Sequence, residues 1–172
     1  GIAAATDALI DNDRTTLHEK DTVNDVILHV SQLNEPGFQE GSIFTDTTLS
    51  AGKMHTCVIL DNGSVSCWGR GSNGQLGNGE TSSKSTPTLT SSLGIGRTAV
   101  AISSGAAHTC AILDNGDVAC WGRGSNGQLG NGGTSEKSTP TLTSSLGTGR
   151  TAVAISSGQY HTCAILDTGQ VS

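Results

Sequence analysis

Residues 55–69, HTCVILDNGSVSCWG, form two short β-rich runs on either side of Asp61-Asn62-Gly63. Asn-Gly and Asp-Gly pairs mark hairpin turns because they tolerate a positive φ. A three-residue loop at this point places Cys57 opposite Cys67 on the neighbouring strand. In residues 55–60 both alternating faces are largely apolar, and a strand of that kind is covered on both sides. The pattern therefore predicts hairpins in sheets that are stacked between neighbours.

The hairpin recurs with a period of 53 residues. Residues 66–118 and 119–171 are identical at 45 of 53 positions, and each unit adds a second strand pattern, RTAVAIS, at 97–103 and 150–156. A period near 50 suits a propeller blade of about four short strands. The period is most visible at its histidines and cysteines, which are His55, His108 and His161, and Cys57, Cys110 and Cys163.

The beginning of the chain has a different charge. Residues 1–40 carry a net charge of −6, whereas the remaining residues sum to zero. Their run TVNDVILHVSQL, at 22–33, fits both a helix and a strand, and its β-branched residues favour a strand. Two domains are predicted: an acidic segment at 1–40 (a divergent blade, a cap or a donated strand) and repeats at 41–172, divided at about 41–93, 94–146 and 147–172.

Composition argues against several functions. The formal charge is −6 and the pI is about 5.1, so no basic surface is expected for nucleic acid. No apolar run approaches the length of a membrane span. The spacing of Gly69, Gly71 and Gly74 is that of a dinucleotide loop, but no helical pattern follows to face a pyrophosphate. These glycines are interpreted as turn residues, and no cofactor is expected.

Residues 102–132, ISSGAAHTCAILDNGDVACWGRGSNGQLGNG, followed by STPT, resemble the RCC1 (regulator of chromosome condensation) repeat, which builds seven-bladed β-propellers. Its landmarks are Gly-x-x-His-Thr, Asn-Gly, Trp-Gly, Gly-Gln-Leu-Gly and Pro, all present between Gly105 and Pro140. The resemblance covers about residues 41–172 and implies an all-β chain of about three blades, an incomplete propeller. The paired cysteines are similar to those of secreted or cell-surface microbial members.

The cysteines and histidines allow more than one chemistry. Cys57 and Cys67 could be a disulfide, two free thiols or, with His55, part of a zinc site, which usually needs four ligands. The resembled family keeps this His where it has no cysteines, which favours disulfides. The predicted roles are disulfides Cys57–Cys67 and Cys110–Cys120, an unpaired or intermolecular Cys163, and structural roles for His55, His108, His161 and, between blades, Trp68 and Trp121.

No catalytic or metal site is predicted, because the His-x-Cys pattern recurs in near-identical units whereas catalysis needs one asymmetric site. The expected function is an extracellular structural, adhesion or protein-binding module. The alternative is a regulatory propeller that binds a small GTPase or inhibits an enzyme. Seven such blades would need about 370 residues. The chain is therefore expected to belong to a longer array or to associate with copies of itself, and the run DVILHV is a candidate donated strand.

Overall fold

The computed structural model describes residues 48–172 of the 172-residue chain. This part consists of antiparallel strands joined by turns and loops, which confirms the all-β prediction. Its strands form three sheets in chain order. Sheet 1 contains β1 Leu49–Ala51, β2 His55–Ile59, β3 Val65–Gly69 and β4 Lys84–Leu89; sheet 2 contains β5 Ala99–Ser104, β6 His108–Leu113, β7 Val118–Gly122 and β8 Lys137–Leu142; sheet 3 contains β9 Ala152–Ser157 and β10 Thr162–Leu166. Residues 1–40, with the run DVILHV, lie outside the described residues.

Sheets 1 and 2 are each built on the hairpin that the sequence predicts. In sheet 1 the register of β2 and β3 pairs Cys57 with Cys67. The loop is closed by a hydrogen bond from the Leu60 amide to the Ser64 carbonyl, at 2.8 Å. Gly63 has a φ of 74°, in the left-handed region that glycine enters without a steric penalty. The β6–β7 hairpin of sheet 2 has the same register, with Cys110 opposite Cys120.

The apolar core lies between successive sheets. Every residue of β6 is buried, because sheet 2 is covered on both faces. One buried cluster joins sheets 1 and 2, and a second joins sheets 2 and 3. Most members of the first cluster have counterparts 53 residues later in the second; these pairs include Val65 and Val118, Leu76 and Leu129, and Ala111 and Ala164. The stack therefore uses one packing scheme twice.

The glycine-rich loop after β3 turns back beside its sheet. Gly69 and Gly74 have φ values of 102° and 75°, so both require the conformational freedom of glycine. The loop closes with hydrogen bonds from the Gly74 amide to the Gly71 carbonyl and from the Gly77 amide to the Gly74 carbonyl. No helix follows this loop anywhere in residues 48–172, and the loop lacks the arrangement that holds a pyrophosphate.

Candidate binding face and the contacts between sheets

Sheets 1 and 2 are joined by a buried chain of hydrogen bonds. The Thr109 hydroxyl lies 3.0 Å from the Gln75 backbone carbonyl and 2.8 Å from His55 Nε2. A hydroxyl has one proton, which it donates to the carbonyl, so His55 must donate from Nε2. The imidazole therefore carries a proton on Nε2, and because its pKa is lowered to about 4 it is neutral near pH 7. Sheets 2 and 3 repeat the arrangement with His108, Thr162 and the Gln128 carbonyl at 2.8 and 3.0 Å.

A glycine packs against each histidine ring. A Cβ added to Gly52 would lie 2.8 Å from His55 Nδ1, and one added to Gly105 would lie 2.6 Å from His108 Nδ1. Both Nδ1 atoms are buried without a hydrogen-bond partner. This close approach explains the Gly-x-x-His spacing, because a side chain at the glycine position would strike the ring.

Burial, followed by repulsion from the next histidine along the stack, lowers the pKa of His55 and of His108 from 6.5 to about 4. Both rings are enclosed, and each gives its Nε2 proton to a structural threonine. A general acid or base must instead reach a substrate and titrate near the working pH. The geometry of these two rings therefore fits a structural contact between sheets better than it fits catalysis.

His161 differs from the two earlier histidines. It is exposed, and it has no side-chain hydrogen bond to any residue in 48–172. Within residues 48–172, the structural role predicted for the three histidines thus takes the form of a buried hydrogen bond at His55 and His108 but not at His161. His55 and His108 are each satisfied by a threonine from the following sheet, whereas His161 belongs to sheet 3, the last sheet of the described part.

The two tryptophans also differ. Trp121 is fully buried, and its Nε1 donates to the Gln75 carbonyl at 3.0 Å, so it packs between sheets 1 and 2. A Cβ on Gly77 would lie 2.6 Å from that indole nitrogen. Trp68 is only half-buried, whereas Trp121 is covered by the glycine-rich loop that follows β3.

The structure joins Cys57 to Cys67 and Cys110 to Cys120 by disulfide bonds, with the Cα atoms 4.1 Å apart in both pairs. All four cysteines are buried, whereas Cys163 is an exposed thiol. Among residues 48–172 no three His, Cys, Asp or Glu side chains are grouped in a way that could hold a metal ion. In that same part of the chain there is no helix of the length and apolarity needed to cross a membrane.

One surface was missed by sequence reasoning. The loops before β2, β6 and β10 line one open cavity of about 420 Å³, to which Lys53, Ala106 and Gln159 contribute. The next position in each loop holds Met54, Ala107 or Tyr160, and Met54 and Tyr160 are 54% and 48% exposed. We call these six residues the loop face. Aligning the three repeats would have revealed it, because the two positions before each histidine differ in every repeat.

Two arginines flank the loop face. The guanidinium of Arg123 lies over the Tyr160 ring, with Cζ 5.8 Å from the ring centroid. Arg70 Nη1 donates to Met54 Sδ at 3.5 Å. Tyr, Met and Arg are enriched at protein interfaces, where they supply contact area together with a polar group. Met54 and Tyr160, together with the two flanking arginines, therefore give this part of the surface side chains that are common at protein interfaces.

Stacked four-stranded antiparallel sheets joined by buried polar contacts define a protein of the β-propeller class. Residues 62–112 and 115–165 match the model of the Regulator of chromosome condensation (RCC1) repeat, and a second model of that description matches residues 47–75 and 99–128. The chain belongs to the RCC1 repeat family.

Relatives include the ultraviolet-B receptor UVR8 of Arabidopsis thaliana, 37% identical over 72% of this chain and 28% of UVR8. The human E3 ubiquitin-protein ligase HERC2 is 34% identical over 68% of this chain and 2% of HERC2. The chain thus spans less than a third of either relative. Among solved structures, Prp20p of Saccharomyces cerevisiae is similar with a TM-score of 0.61 and 23% identity, over 72% of this chain and 30% of that one. This likeness shows the propeller fold.

Proposed function

We propose that the chain is a non-catalytic protein-binding module that functions outside the reducing cytosol and uses the loop face as its contact surface. The observation that carries the proposal is the contrast within the repeats. A nearly invariant scaffold presents Lys-Met, Ala-Ala and Gln-Tyr at equivalent positions of three loops, and the first residue of each pair lines one cavity. Variable loops on a rigid framework are the usual way in which a repeat fold recognises a partner.

The location is supported by the cysteines. Two buried disulfides, one in each complete sheet, suit an oxidising compartment, because cytosolic thiols are kept reduced. Under this proposal the protein is secreted or displayed at a cell surface, with a structural or adhesive role. Its partners are proteins, and copies of the chain are included among them.

The alternative is an intracellular regulatory propeller that binds a small GTPase or inhibits an enzyme. Prp20p binds Gsp1p and histones, and this chain shares the propeller fold of Prp20p. The alternative requires reduced thiols. Mass mapping of the natural protein without reductant separates the two functions: linked Cys57–Cys67 and Cys110–Cys120 peptides support the extracellular module, and alkylated cysteines at all four positions would exclude it.

The binding surface is tested with variants taken from the protein's own second repeat. The quadruple variant Lys53→Ala, Met54→Ala, Gln159→Ala and Tyr160→Ala gives both outer loops the Ala-Ala sequence of the middle loop, which this scaffold already carries. Immobilised wild-type and variant protein are compared for capture of proteins from the secreted and surface fraction of the source organism. We expect that specific partners bind wild type and are lost with the variant.

The matched control is Ile95→Thr. Ile95 is fully exposed in a different loop, and its repeat counterpart is Thr148, so the change is equally compatible with the scaffold. Its capture should equal that of wild type. Equal capture by all three proteins would show that the loop face is not the contact surface.

A further inference from the structure

The turn between β2 and β3 carries a modification sequence. Asn62-Gly63-Ser64 fits the pattern Asn-x-Ser/Thr, with x other than proline, which is the acceptor sequence for N-linked glycosylation. No other asparagine in the 172-residue sequence is followed two positions later by serine or threonine. The equivalent turn of the next repeat is Asn115-Gly116-Asp117, so the hydroxyl distinguishes two turns that otherwise match.

The side-chain amide of Asn62 is presented to solvent. Asn62 is exposed, and its Oδ1 accepts a hydrogen bond from the Ser64 backbone amide at 3.0 Å. This Asx turn leaves Nδ2, the atom to which a glycan is attached, without a hydrogen-bond partner among residues 48–172. The Gly63 carbonyl accepts from the Ala99 amide of sheet 2 at 2.8 Å, so the turn itself is held in place. A glycan on Asn62 therefore replaces no hydrogen bond of Nδ2 in the described part of the chain.

The matched turn in sheet 2 uses its asparagine differently. The Asp117 backbone amide donates to Asn115 Oδ1 at 3.2 Å, which repeats the Asx turn. Asn115 Nδ2, however, donates to the Asp117 carboxylate at 2.7 Å. Aspartate therefore closes the second turn with a side-chain hydrogen bond. In the first turn, Ser64 leaves the corresponding nitrogen free and supplies the hydroxyl that the acceptor sequence requires.

The compartment and the position of the turn are compatible with a glycan. The two disulfides suit an oxidising compartment, and N-linked glycans are found on surface loops of secreted proteins. The five-residue strand β2 runs from His55, beside the loop face, to Ile59, beside the turn. At about 3.3 Å per residue, the two ends of this strand are roughly 13 Å apart. A glycan at the turn thus leaves the loop face free.

We propose, on the basis of the extracellular location proposed above, that Asn62 is an N-glycosylation site. The sugar donor is an oligosaccharide joined to a membrane lipid through pyrophosphate. The glycan covers the turn end of sheet 1 and leaves partners to approach from the loop face. Of the two complete sheets only sheet 1 is marked, so two repeats that are nearly identical in sequence differ at their surfaces.

The transfer forms a bond between Asn62 Nδ2 and C1 of the first sugar. The C1–O bond to pyrophosphate breaks, and the lipid pyrophosphate leaves with the electron pair of that bond. Nδ2 gives up one proton to a base of the membrane-bound transferase that catalyses the step. No group is oxidised or reduced. The chain supplies the amide nitrogen and, at Ser64, the hydroxyl of the acceptor sequence.

The test is peptide mapping of the natural protein without reductant. Trypsin cleaves after Lys53 and Arg70, so one peptide carries Asn62 together with both cysteines of the first disulfide. We expect this peptide, 54–70, to contain the disulfide and a glycan. Peptide N-glycosidase in heavy-oxygen water should release the glycan and leave a labelled aspartate at position 62. A sample without the glycosidase controls for spontaneous deamidation and should acquire no label there.

The same peptide separates this site from the proposed location of the protein. A disulfide-linked peptide with unmodified Asn62 would overturn the glycosylation site and leave the extracellular function standing. Alkylated cysteines together with unmodified Asn62 would overturn both. A sugar attached to Ser64 instead of Asn62 would also overturn the site. Peptide 98–123, which carries Asn115 and the second disulfide, is the internal control and should contain no glycan.

A reciprocal exchange of the two turns tests the acceptor sequence. Ser64→Asp gives the first turn the sequence of the second, and Asp117→Ser does the reverse, so the scaffold already carries both turns. When the variants are expressed in the source organism, Ser64→Asp should lose the glycan from peptide 54–70. Asp117→Ser should gain a glycan on peptide 98–123. A glycan that persists in Ser64→Asp, or an unmodified Asn115 in Asp117→Ser, would contradict the proposal.

Discussion

The first interface, between sheets 1 and 2, and the second, between sheets 2 and 3, are made from the same sequence motifs and differ in burial. Thr109 is fully buried at the first, whereas its counterpart Thr162 is half-buried at the second. Gly77 is covered by an indole, and Gly130 is exposed. The comparison shows that the residues of one repeat are buried by the neighbouring repeat. Other repeat proteins likewise share their stability between adjacent units.

Replacing the buried indole should break the first interface. Trp121→Ala should lower the free energy of unfolding by about 3–5 kcal/mol, because it leaves a cavity in the core and removes a donor from the Gln75 carbonyl. The measurement is urea unfolding followed by circular dichroism. Trp68→Ala is the matched control and should cost clearly less, since Trp68 is half-buried. Equal losses would mean that packing against the preceding repeat contributes little.

Removing a disulfide should affect both complete sheets alike. The double changes Cys57→Ser with Cys67→Ser, and Cys110→Ser with Cys120→Ser, should each cost about 2–3 kcal/mol, because each bond closes a loop of the same length and restricts mainly the unfolded chain. Urea midpoints under non-reducing conditions measure the loss. A much larger loss in sheet 2 would show that native packing around the sulfurs, and not chain entropy, sets the effect.

The shared threonine tests the polar joint itself. Thr109→Val keeps the shape of the side chain, leaves the His55 Nε2–H without an acceptor and removes a donor from the Gln75 carbonyl. We expect the free energy of unfolding to fall by about 1–3 kcal/mol. Thr162→Val makes the same change at the second interface and should cost less, because water reaches this half-buried site. A larger loss from Thr162→Val would contradict the comparison.

Acid should weaken the joints through the two buried histidines. Their pKa is lowered to about 4 in the folded protein, so the unfolded chain binds more protons between pH 6.5 and pH 4. Their contribution to stability is complete above pH 6.5 and is lost progressively as the pH falls towards 4. From about pH 7.5 to about pH 5.5 the free energy of unfolding should fall by roughly 1 kcal/mol per imidazole.

One of the two buried histidines tests this pH dependence. His55→Gln should reduce the change in urea midpoint with pH relative to wild type, because it removes a group whose pKa is lowered to about 4. A pH dependence that is unchanged by His55→Gln would show that other groups cause the acid sensitivity.

The fold was largely predictable because the repeat carries local signals. The Asp-Asn-Gly turn fixes the hairpin register that brings Cys57 opposite Cys67, and the period fixes where the next sheet begins. The hydrogen bonds between sheets were harder to predict from the sequence. Their acceptors are the backbone carbonyls of Gln75 and Gln128, and every residue has a backbone carbonyl. Nor does sequence identity distinguish His161 from His108, because the difference between them lies in the neighbouring sheet.

The disulfides also limit how the chain responds to pulling force. Each bond joins residues ten positions apart, so the loop between them cannot straighten. If a complete blade is stretched from its ends, the disulfide prevents about 35 Å of chain contour from extending. Reduction releases that length. A chain held at a surface under tension would then yield in two stages, first by separation of the sheets and, only after loss of the sulfur bridges, by extension of the hairpins.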